Sequence, residues 1–280
     1  MNALEIRNLT KSYPDFSLDH LSLTLPGGCI LGLIGENGAG KSTTIRLILD
    51  MIHKDSGSVT IFGKDNGQNL ALTKQDIGVV LDEVGIPGCL NAHQVGEIMG
   101  RTYRNWDKEV YQNYLTRFSL PERKPFQSYS RGMQMKLGLA IALSHHAKLL
   151  LLDEATSGLD PVVRDEVVDT LLSFARQGEN AVLISSHIVS DLEKLCDYVA
   201  FLHKGKIMLL EEKDYLLGEY GLLHCTASQL EEIPAEAILH KKLTPYSAEA
   251  LVKRDALPGG TTVSPISMEE LFIYMSKEAV

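Results

Sequence analysis

A glycine-rich segment that ends in a lysine and hydroxyl residues has the composition of a phosphate-binding loop. It lies between the apolar run 29–34 and a stretch that is apolar at helical spacing, which predicts strand, loop and helix in that order. Glycines let successive backbone N–H groups curl round a phosphate, and the helix N-terminus adds partial positive charge. Lys41 can then reach the outer phosphates, and the Ser42 hydroxyl can ligate Mg²⁺. The candidate phosphate-binding residues are Gly35, Glu36, Asn37, Gly38, Ala39, Gly40, Lys41, Ser42 and Thr43.

Two adjacent carboxylates, Asp153 and Glu154, follow the apolar run 149–152. A buried strand of a parallel sheet delivers such residues to the edge where ligands bind. There Asp153 is expected to hold Mg²⁺ through water, and Glu154 to polarise the attacking water as general base. Taken alone, the pair is equally compatible with an ordinary acidic turn. Combined with the glycine-rich loop, it predicts a phosphate-loop NTPase.

The elements that must position these groups alternate between strand and helix. Residues 4–34 read as antiparallel hairpins that lead into a buried strand, and 57–81 contain further strands. Residues 92–146 are helical in pattern, which suggests a helical insertion of about 84–146. Strands at 149–152, 181–185 and 198–203, with a helix at 162–176, predict a mainly parallel α/β core sheet.

The character of the chain changes after residue 217. Short strand-like pieces, a Pro-Gly-Gly turn and a closing helix suggest a small C-terminal appendage, 218–280. Ser267 and Glu270 have the spacing of a capping box at the start of that helix. No chemistry can be assigned to this appendage from its residues.

Ser130-Arg131-Gly132-Met133-Gln134, just upstream of the acidic pair, is similar to the signature motif of the ABC ATPase family. With the phosphate loop and the acidic pair in the family's order, the chain resembles that family over roughly 2–217. The resemblance implies a P-loop NTPase fold of ABC ATPase type: an antiparallel β subdomain, a parallel core sheet, a helical insertion and the appendage. The nucleotide-binding domain is expected at 1–217.

The resemblance also implies roles for residues outside the phosphate loop. Ser130 and the Gly132 backbone would bind the γ-phosphate of an ATP held by another subunit. Asp160 belongs to a segment that resembles the loop crossing the dimer interface, and His187 resembles the histidine that contacts the γ-phosphate. Tyr13 corresponds to the aromatic residue that stacks on adenine.

One position departs from the family pattern. Where the family has a glutamine that touches Mg²⁺ and the membrane subunit, this chain has Asp82. An aspartate can ligate Mg²⁺ as an anion, but it cannot donate a hydrogen bond unless it is protonated. We therefore expect Asp82 either to be a metal ligand or to be a solvated turn residue.

Composition limits the remaining possibilities. The 280 residues carry a formal net charge of −9, which argues against nucleic-acid binding. No apolar run approaches the roughly 18–20 residues that span a bilayer, and no secretory peptide is recognised, so the chain is expected to stay in the cytoplasm. The four cysteines are widely spaced and are expected to be free thiols.

The expected function is an ATP-binding and ATP-hydrolysing subunit that dimerises, with itself or with a similar chain, around two ATP molecules and Mg²⁺. The resemblance implies that it energises export of a peptide, antibiotic, lipid or drug through separate transmembrane permease subunits, from the inner face of the cell membrane. A soluble ABC ATPase of a cytosolic machine, such as iron–sulfur cluster assembly, is the alternative. A third hypothesis, a non-catalytic binding module, is disfavoured because Glu154 and His187 are both present.

Overall fold

The structure, a computed structural model, describes residues 1–67, 74–244 and 247–276. An antiparallel N-terminal sheet contains β1 (Asn2–Tyr13), β2 (Phe16–Pro26), β4 (Ser56–Ile61) and β5 (Lys64–Asp65), in the order β2-β1-β4-β5. β1 and β2 form a hairpin in which alternate side chains are buried. This period of two is why the segment forms a sheet with one covered face, as the sequence predicted.

The core sheet has the strand order β10-β9-β3-β8-β7-β6. Its strands are β3 (Ile30–Ile34), β6 (Ile77–Val80), β7 (Leu149–Asp153), β8 (Ala181–Ser186), β9 (Tyr198–His203) and β10 (Lys206–Glu212). Strands β3 and β6 to β9 run parallel, and β3, β7 and β8 are buried throughout. The predicted mainly parallel sheet is confirmed; the antiparallel edge strand β10 was not predicted because its polar residues conceal the strand pattern.

Helices connect these strands and form the predicted insertion. Helix α1 (Lys41–Ile48) follows β3; α2 (Ala92–Thr102), α3 (Lys108–Arg117) and α4 (Arg131–Leu143) lie between β6 and β7. Helix α5 (Pro161–Ala175) joins β7 to β8, and α6 (Val189–Leu195) joins β8 to β9. Among the described residues, no helix combines the length and the apolarity that crossing a membrane requires.

The C-terminal segment shares a hydrophobic core with the rest of the chain. It contains α7 (Lys213–Glu219), β11 (Tyr220–Cys225), α8 (Ala227–Glu231), β12 (Ile238–Leu243), β13 (Ala248–Lys253) and α9 (Met268–Ser276). The predicted capping box between Ser267 and Glu270 is present at the start of α9. The Phe272 ring of α9 meets Phe201 of β9 edge-on at 5.3 Å. Residues 245–246 and 277–280 of the predicted appendage lie outside the described residues.

Candidate functional site

Three neighbouring parallel strands deliver the site residues to one edge of the core sheet. In register, Ile34 of β3 lies beside Ser186 of β8, and Asp153 of β7 lies beside Ser185. The glycine-rich loop, the acidic pair and His187 are the residues that immediately follow these strands. Because carboxyl ends of parallel strands meet at one edge, residues far apart in sequence are brought together there.

Two glycines in the loop are required by its geometry. A Cβ at Gly35 would lie 2.5 Å from the carbonyl oxygen of Leu202, so the loop can approach β9 closely only without a side chain. Gly40 has a φ of 112°, in the left-handed region that favours glycine. It directly precedes α1, whose first residue is Lys41. The free N–H groups of that first turn therefore face the loop, as a phosphate site needs.

Lys41 is buried and held by three acceptors. Its ammonium donates to the carbonyl oxygens of Gly35, at 2.7 Å, and Glu36, at 3.2 Å. It also pairs with the Glu154 carboxylate, Nζ to Oε1, at 3.1 Å. The Lys41 and Glu154 side chains are only 5% and 12% exposed, so little solvent screens this pair.

The same carboxylate also holds His187. Glu154 Oε2 lies 2.7 Å from His187 Nδ1, and the His187 backbone N–H donates to it at 3.4 Å. The structure therefore joins Lys41, Glu154 and His187 into one network, although they follow three different strands, β3, β7 and β8. A carboxylate between a lysine and a histidine can exchange either partner for an incoming phosphate or water.

Asp153 and Ser42 supply oxygen donors. Asp153 is 4% exposed, and its carboxylate accepts a hydrogen bond from the Ser185 hydroxyl at 2.6 Å. Ser42 is half-buried in the first turn of α1. A carboxylate and a hydroxyl are hard ligands of the kind that Mg²⁺ prefers while it keeps several waters, so these residues fit that ion.

Tyr13 lies at the end of β1 and is 42% exposed. Its ring stacks on that of Phe16, with centroids 6.4 Å apart, and Lys11 lies 5.6 Å from its ring centroid. The Phe16 ring in turn occupies the space beside Gly40, where an added Cβ would come within 2.8 Å of it. The β1–β2 hairpin thus carries the partly exposed Tyr13 ring to the flank of the phosphate loop.

The signature segment forms the N-terminus of α4. Ser130 is exposed and caps this helix by accepting a hydrogen bond from the Met133 N–H at 3.3 Å. Asp160 likewise caps α5, accepting from the backbone N–H groups of its first turn. Gly132 faces α5, where a Cβ would lie 3.2 Å from Val163. Among the residues that the structure describes, these residues make no hydrogen bond or ion pair with the phosphate loop of their own chain.

Tyr129, which directly precedes the signature segment, is buried at 5% exposure. Its hydroxyl donates to the Pro121 carbonyl at 2.7 Å, and burial raises the pKa of this phenol. The buried phenol thus has a polar partner in the interior.

Asp82 is engaged by a cation. Its Oδ1 accepts a hydrogen bond from Arg131 Nη2 at 2.5 Å, an ion pair in which both side chains are about half exposed. Arg131 also donates through Nε to the Ser157 carbonyl at 3.0 Å. From the sequence, Asp82 was expected to be either a metal ligand or a solvated turn residue; the structure adds a third role, the partner of Arg131.

Sequence reasoning missed two functional contacts at this site. Ser185, which orients Asp153, was visible only as part of a Ser-Ser-His run at the end of a predicted strand. The Arg131 contacts had a clearer signal, since Arg131 is a charged residue within the signature segment and Asp82 puts an opposite charge where the family has a glutamine. Two opposite charges at such positions suggest that they pair.

Comparison with known proteins agrees with this geometry. A family model described as ABC transporter matches residues 18–157. YhcH of Bacillus subtilis (strain 168), described as an uncharacterized ABC transporter ATP-binding protein, is 31% identical over 98% of this chain and 96% of its own length. BcrA of Bacillus licheniformis, a bacitracin transport ATP-binding protein, is 37% identical over 75% of this chain and 69% of its own length.

Among solved structures, a dimeric ATP-binding cassette in a post-hydrolysis state, bound to ADP and Pi, superposes with a TM-score of 0.68. The match covers 75% of this chain and 98% of that chain at 19% identity. At this level of identity the similarity establishes the fold.

Proposed function

Because this chain belongs to the ABC transporter family and is an ATP-binding, ATP-hydrolysing subunit, we propose that it powers export through separate transmembrane permease subunits. BcrA serves bacitracin transport, which supports a peptide or other antibiotic as cargo, with lipids and drugs as further candidates. The chain would then act from the cytoplasmic face of the cell membrane, as a peripheral subunit.

We propose that two copies, or this chain and a similar one, enclose two ATP molecules. Supporting this, Ser130 and Gly132 make no contact with the phosphate loop of their own chain among the described residues, while their helix N-terminus is exposed. A phosphate held by Lys41 would need these residues from the partner subunit. The solved cassette that superposes on this chain is itself dimeric.

Within each proposed site the residues divide into binding and reacting groups. The adenine ring would stack on Tyr13, and the backbone N–H groups of 35–43 would hold the phosphates with Lys41. Ser42 and Asp153 would hold Mg²⁺, which supplies charge neutralisation at the phosphates when bound. Asp82 as a third ligand remains a prediction, opposed by its contact with Arg131.

Glu154 is proposed as the base that takes a proton from the attacking water. The observation that carries this is its position between Lys41 and His187, at 3.1 and 2.7 Å, in a shielded network. When Lys41 turns to a phosphate, the carboxylate gains a free oxygen beside the reacting centre. His187 Nδ1 would orient that carboxylate or donate to the γ-phosphate.

The base assignment is tested with Glu154→Gln. We expect steady-state ATP hydrolysis by the full chain to fall about 10²- to 10⁴-fold, while ATP binding persists, since general-base catalysis contributes rates of that order. Glu231→Gln, an exposed change with the same loss of charge, is the control. Parent-like turnover in Glu154→Gln would rule out Glu154 as the base.

The transport assignment is tested by capture from native cells. Tagged Glu154→Gln is loaded with ATP and Mg²⁺ in mild detergent, and the proteins that remain bound are identified. We expect a multi-spanning membrane protein. Recovery of a soluble assembly factor, with nothing from the membrane fraction, would instead favour a cytosolic machine such as iron–sulfur cluster assembly, and would leave the ATPase activity unaffected.

A further inference from the structure

A single guanidinium joins three loops at the edge of the proposed ATP site. Arg131, the first residue of α4, donates through Nη2 to Asp82 at 2.5 Å and through Nε to the carbonyl oxygen of Ser157 at 3.0 Å. Asp82 lies just beyond β6, and Ser157 lies between β7 and α5. The N-terminus of α4, which carries Ser130 and Gly132, is therefore tied to both neighbouring loops through one side chain.

The surroundings of Arg131 leave room for this geometry. Gly158 has a φ of 69°, and a Cβ there would lie 3.2 Å from Arg131 Nε. Further along the helix, Lys136 pairs with Glu166 of α5 at 2.5 Å. The two helices are thus joined along their length by this ion pair, and Arg131 ties the start of α4 to the loop that precedes α5.

Exposure indicates what this pair contributes. The side chains of Arg131 and Asp82 are 49% and 51% exposed, so water and salt screen their attraction. Such a pair adds little to the stability of the fold. The guanidinium fork nevertheless fixes direction, because its N–H groups diverge at set angles toward a carboxylate and a carbonyl. Its effect is therefore expected on orientation.

We propose that the Asp82–Arg131 pair is a positioning device that holds the α4 N-terminus in the orientation needed to close on the partner subunit's ATP. Asp82 acts through Arg131, and is not a Mg²⁺ ligand. The proposal rests on the proposed dimeric function and names the residues that prepare its signature segment. Without the pair, the segment must be ordered when the dimer closes, which weakens closure.

A double-mutant cycle tests this on the full-length chain. In the Glu154→Gln background, the dissociation constant of the MgATP-bound dimer is measured by sedimentation for Asp82→Asn, Arg131→Gln and the double variant. An exposed ion pair shifts an equilibrium about 1.4- to 5-fold, and a symmetric dimer contains two copies, so each single change should weaken the dimer about 2- to 30-fold. The double variant should be no weaker than the weaker single variant.

Matched controls come from the opposite edge of the core sheet. Asp76 and Lys148, which directly precede β6 and β7, form a partly exposed ion pair, 3.4 Å apart. Asp76→Asn and Lys148→Gln remove equal charges but should leave dimerisation within about 1.5-fold, as surface substitutions usually do. Arg131→Lys keeps the charge without the fork, and should recover only part of the parent affinity. The coupling energy between positions 82 and 131 should be smaller in 1 M salt than in 0.1 M salt, because the screening length falls from about 10 Å to about 3 Å.

Three outcomes would overturn the proposal. Additive effects of the two changes would mean that the residues act independently. A stronger dimer in Asp82→Asn with a weaker one in Arg131→Gln would make Arg131 a phosphate ligand that Asp82 restrains. The third outcome is measured in chains that retain Glu154. If Asp82→Asn raises the Mg²⁺ concentration that ATP hydrolysis requires, and does so in the Arg131→Gln background as well, Asp82 is a metal ligand.

Failure of the proposed dimer is recognised separately. If the Glu154→Gln parent does not dimerise with MgATP, the dimeric function is wrong. The same double-mutant cycle is then measured in chains that retain Glu154, with kcat and the half-saturating ATP concentration as the readouts. Non-additive effects of the two changes on these quantities support the positioning role, and additive effects refute it.

Discussion

The ion pair between Lys41 and Glu154 is a contact that a phosphate bound to Lys41 would replace. Lys41 Nζ lies 3.1 Å from Glu154 Oε1 while two carbonyl oxygens accept its other hydrogens. Substituting Glu154→Gln keeps the shape of the side chain and removes its charge. The ammonium group then remains buried without a counter-charge until a phosphate arrives.

The magnitude follows from the burial of this pair. Removing one partner of a buried pair costs about 3–5 kcal/mol, but Lys41 keeps both carbonyl acceptors and glutamine still offers an oxygen, so about 1–3 kcal/mol is expected. With about 2.1 cal/mol/K of unfolding entropy per residue, a chain of this length loses about 2–5 °C in Tm. In Glu154→Gln, nucleotide binding no longer has to break this pair, so the affinity for nucleotide should rise about 5- to 140-fold.

Thermal unfolding of the full chain, with and without a non-hydrolysable ATP analogue and Mg²⁺, measures both effects. Glu154→Gln should unfold at lower temperature than the parent without nucleotide, and show a larger upward shift when nucleotide is added. The control Glu231→Gln removes the same charge at an exposed position, and its Tm and nucleotide-induced shift should match those of the parent. An unchanged Tm without nucleotide, together with a parent-like nucleotide shift, would show that the Lys41–Glu154 pair does not form in solution.

Three further predictions concern residues outside the ATP site. Burial lowers the pKa of His145, so the unfolded state takes up a proton first as the pH falls below about 6.5, and the folded state loses stability with falling pH. The drop in Tm between pH 7.5 and 5.5 should therefore be smaller in His145→Phe than in the parent, whereas the exposed control His53→Gln should behave like the parent. Burial raises the pKa of the Cys196 thiol while Cys89 is exposed, so a thiol reagent should modify Cys89 at least about 100-fold faster, and equal rates would contradict this packing. Phe272→Ala should lower the free energy of unfolding by about 3–5 kcal/mol in urea titrations, and a loss under 1 kcal/mol would mean that α9 does not pack on the core.

Much of the fold was predictable because its patterns are local. The buried strands β7 and β8 are continuous apolar runs, and the β1–β2 hairpin alternates with a period of two. The edge strand β10 was not recognised, since its partly exposed residues include adjacent glutamates that resemble a surface turn. Such a strand exists because β9 offers it hydrogen bonds, which is a property of the sheet and not of the segment.

Local sequence patterns likewise do not determine whether the C-terminal segment forms a separate unit. A change in composition suggested a boundary at residue 217, which falls inside α7. Met268 and Phe272 of α9 belong to one hydrophobic cluster with Leu192 of α6 and Phe201 of β9. Composition detects a change in local pattern, whereas the shared cluster depends on contacts between residues far apart in sequence. Beside this cluster, the backbone N–H of Met268 donates to the carboxylate of Glu193, 75 positions away, at 3.2 Å.

The site departs from local rules at the residues proposed to react. Glu154 has a φ of 53°, a left-handed conformation that costs a non-glycine residue about 1–2 kcal/mol. Its backbone N–H donates to the Ser185 carbonyl at 3.0 Å, and its carboxylate holds Lys41 and His187, so surrounding contacts over-determine the strained backbone. A sequence pattern identifies which carboxylate occupies this position, but not that the carboxylate is turned back toward the lysine. That orientation arises only when three strands place their loops together, which is why the residue types were predictable and their connections were not.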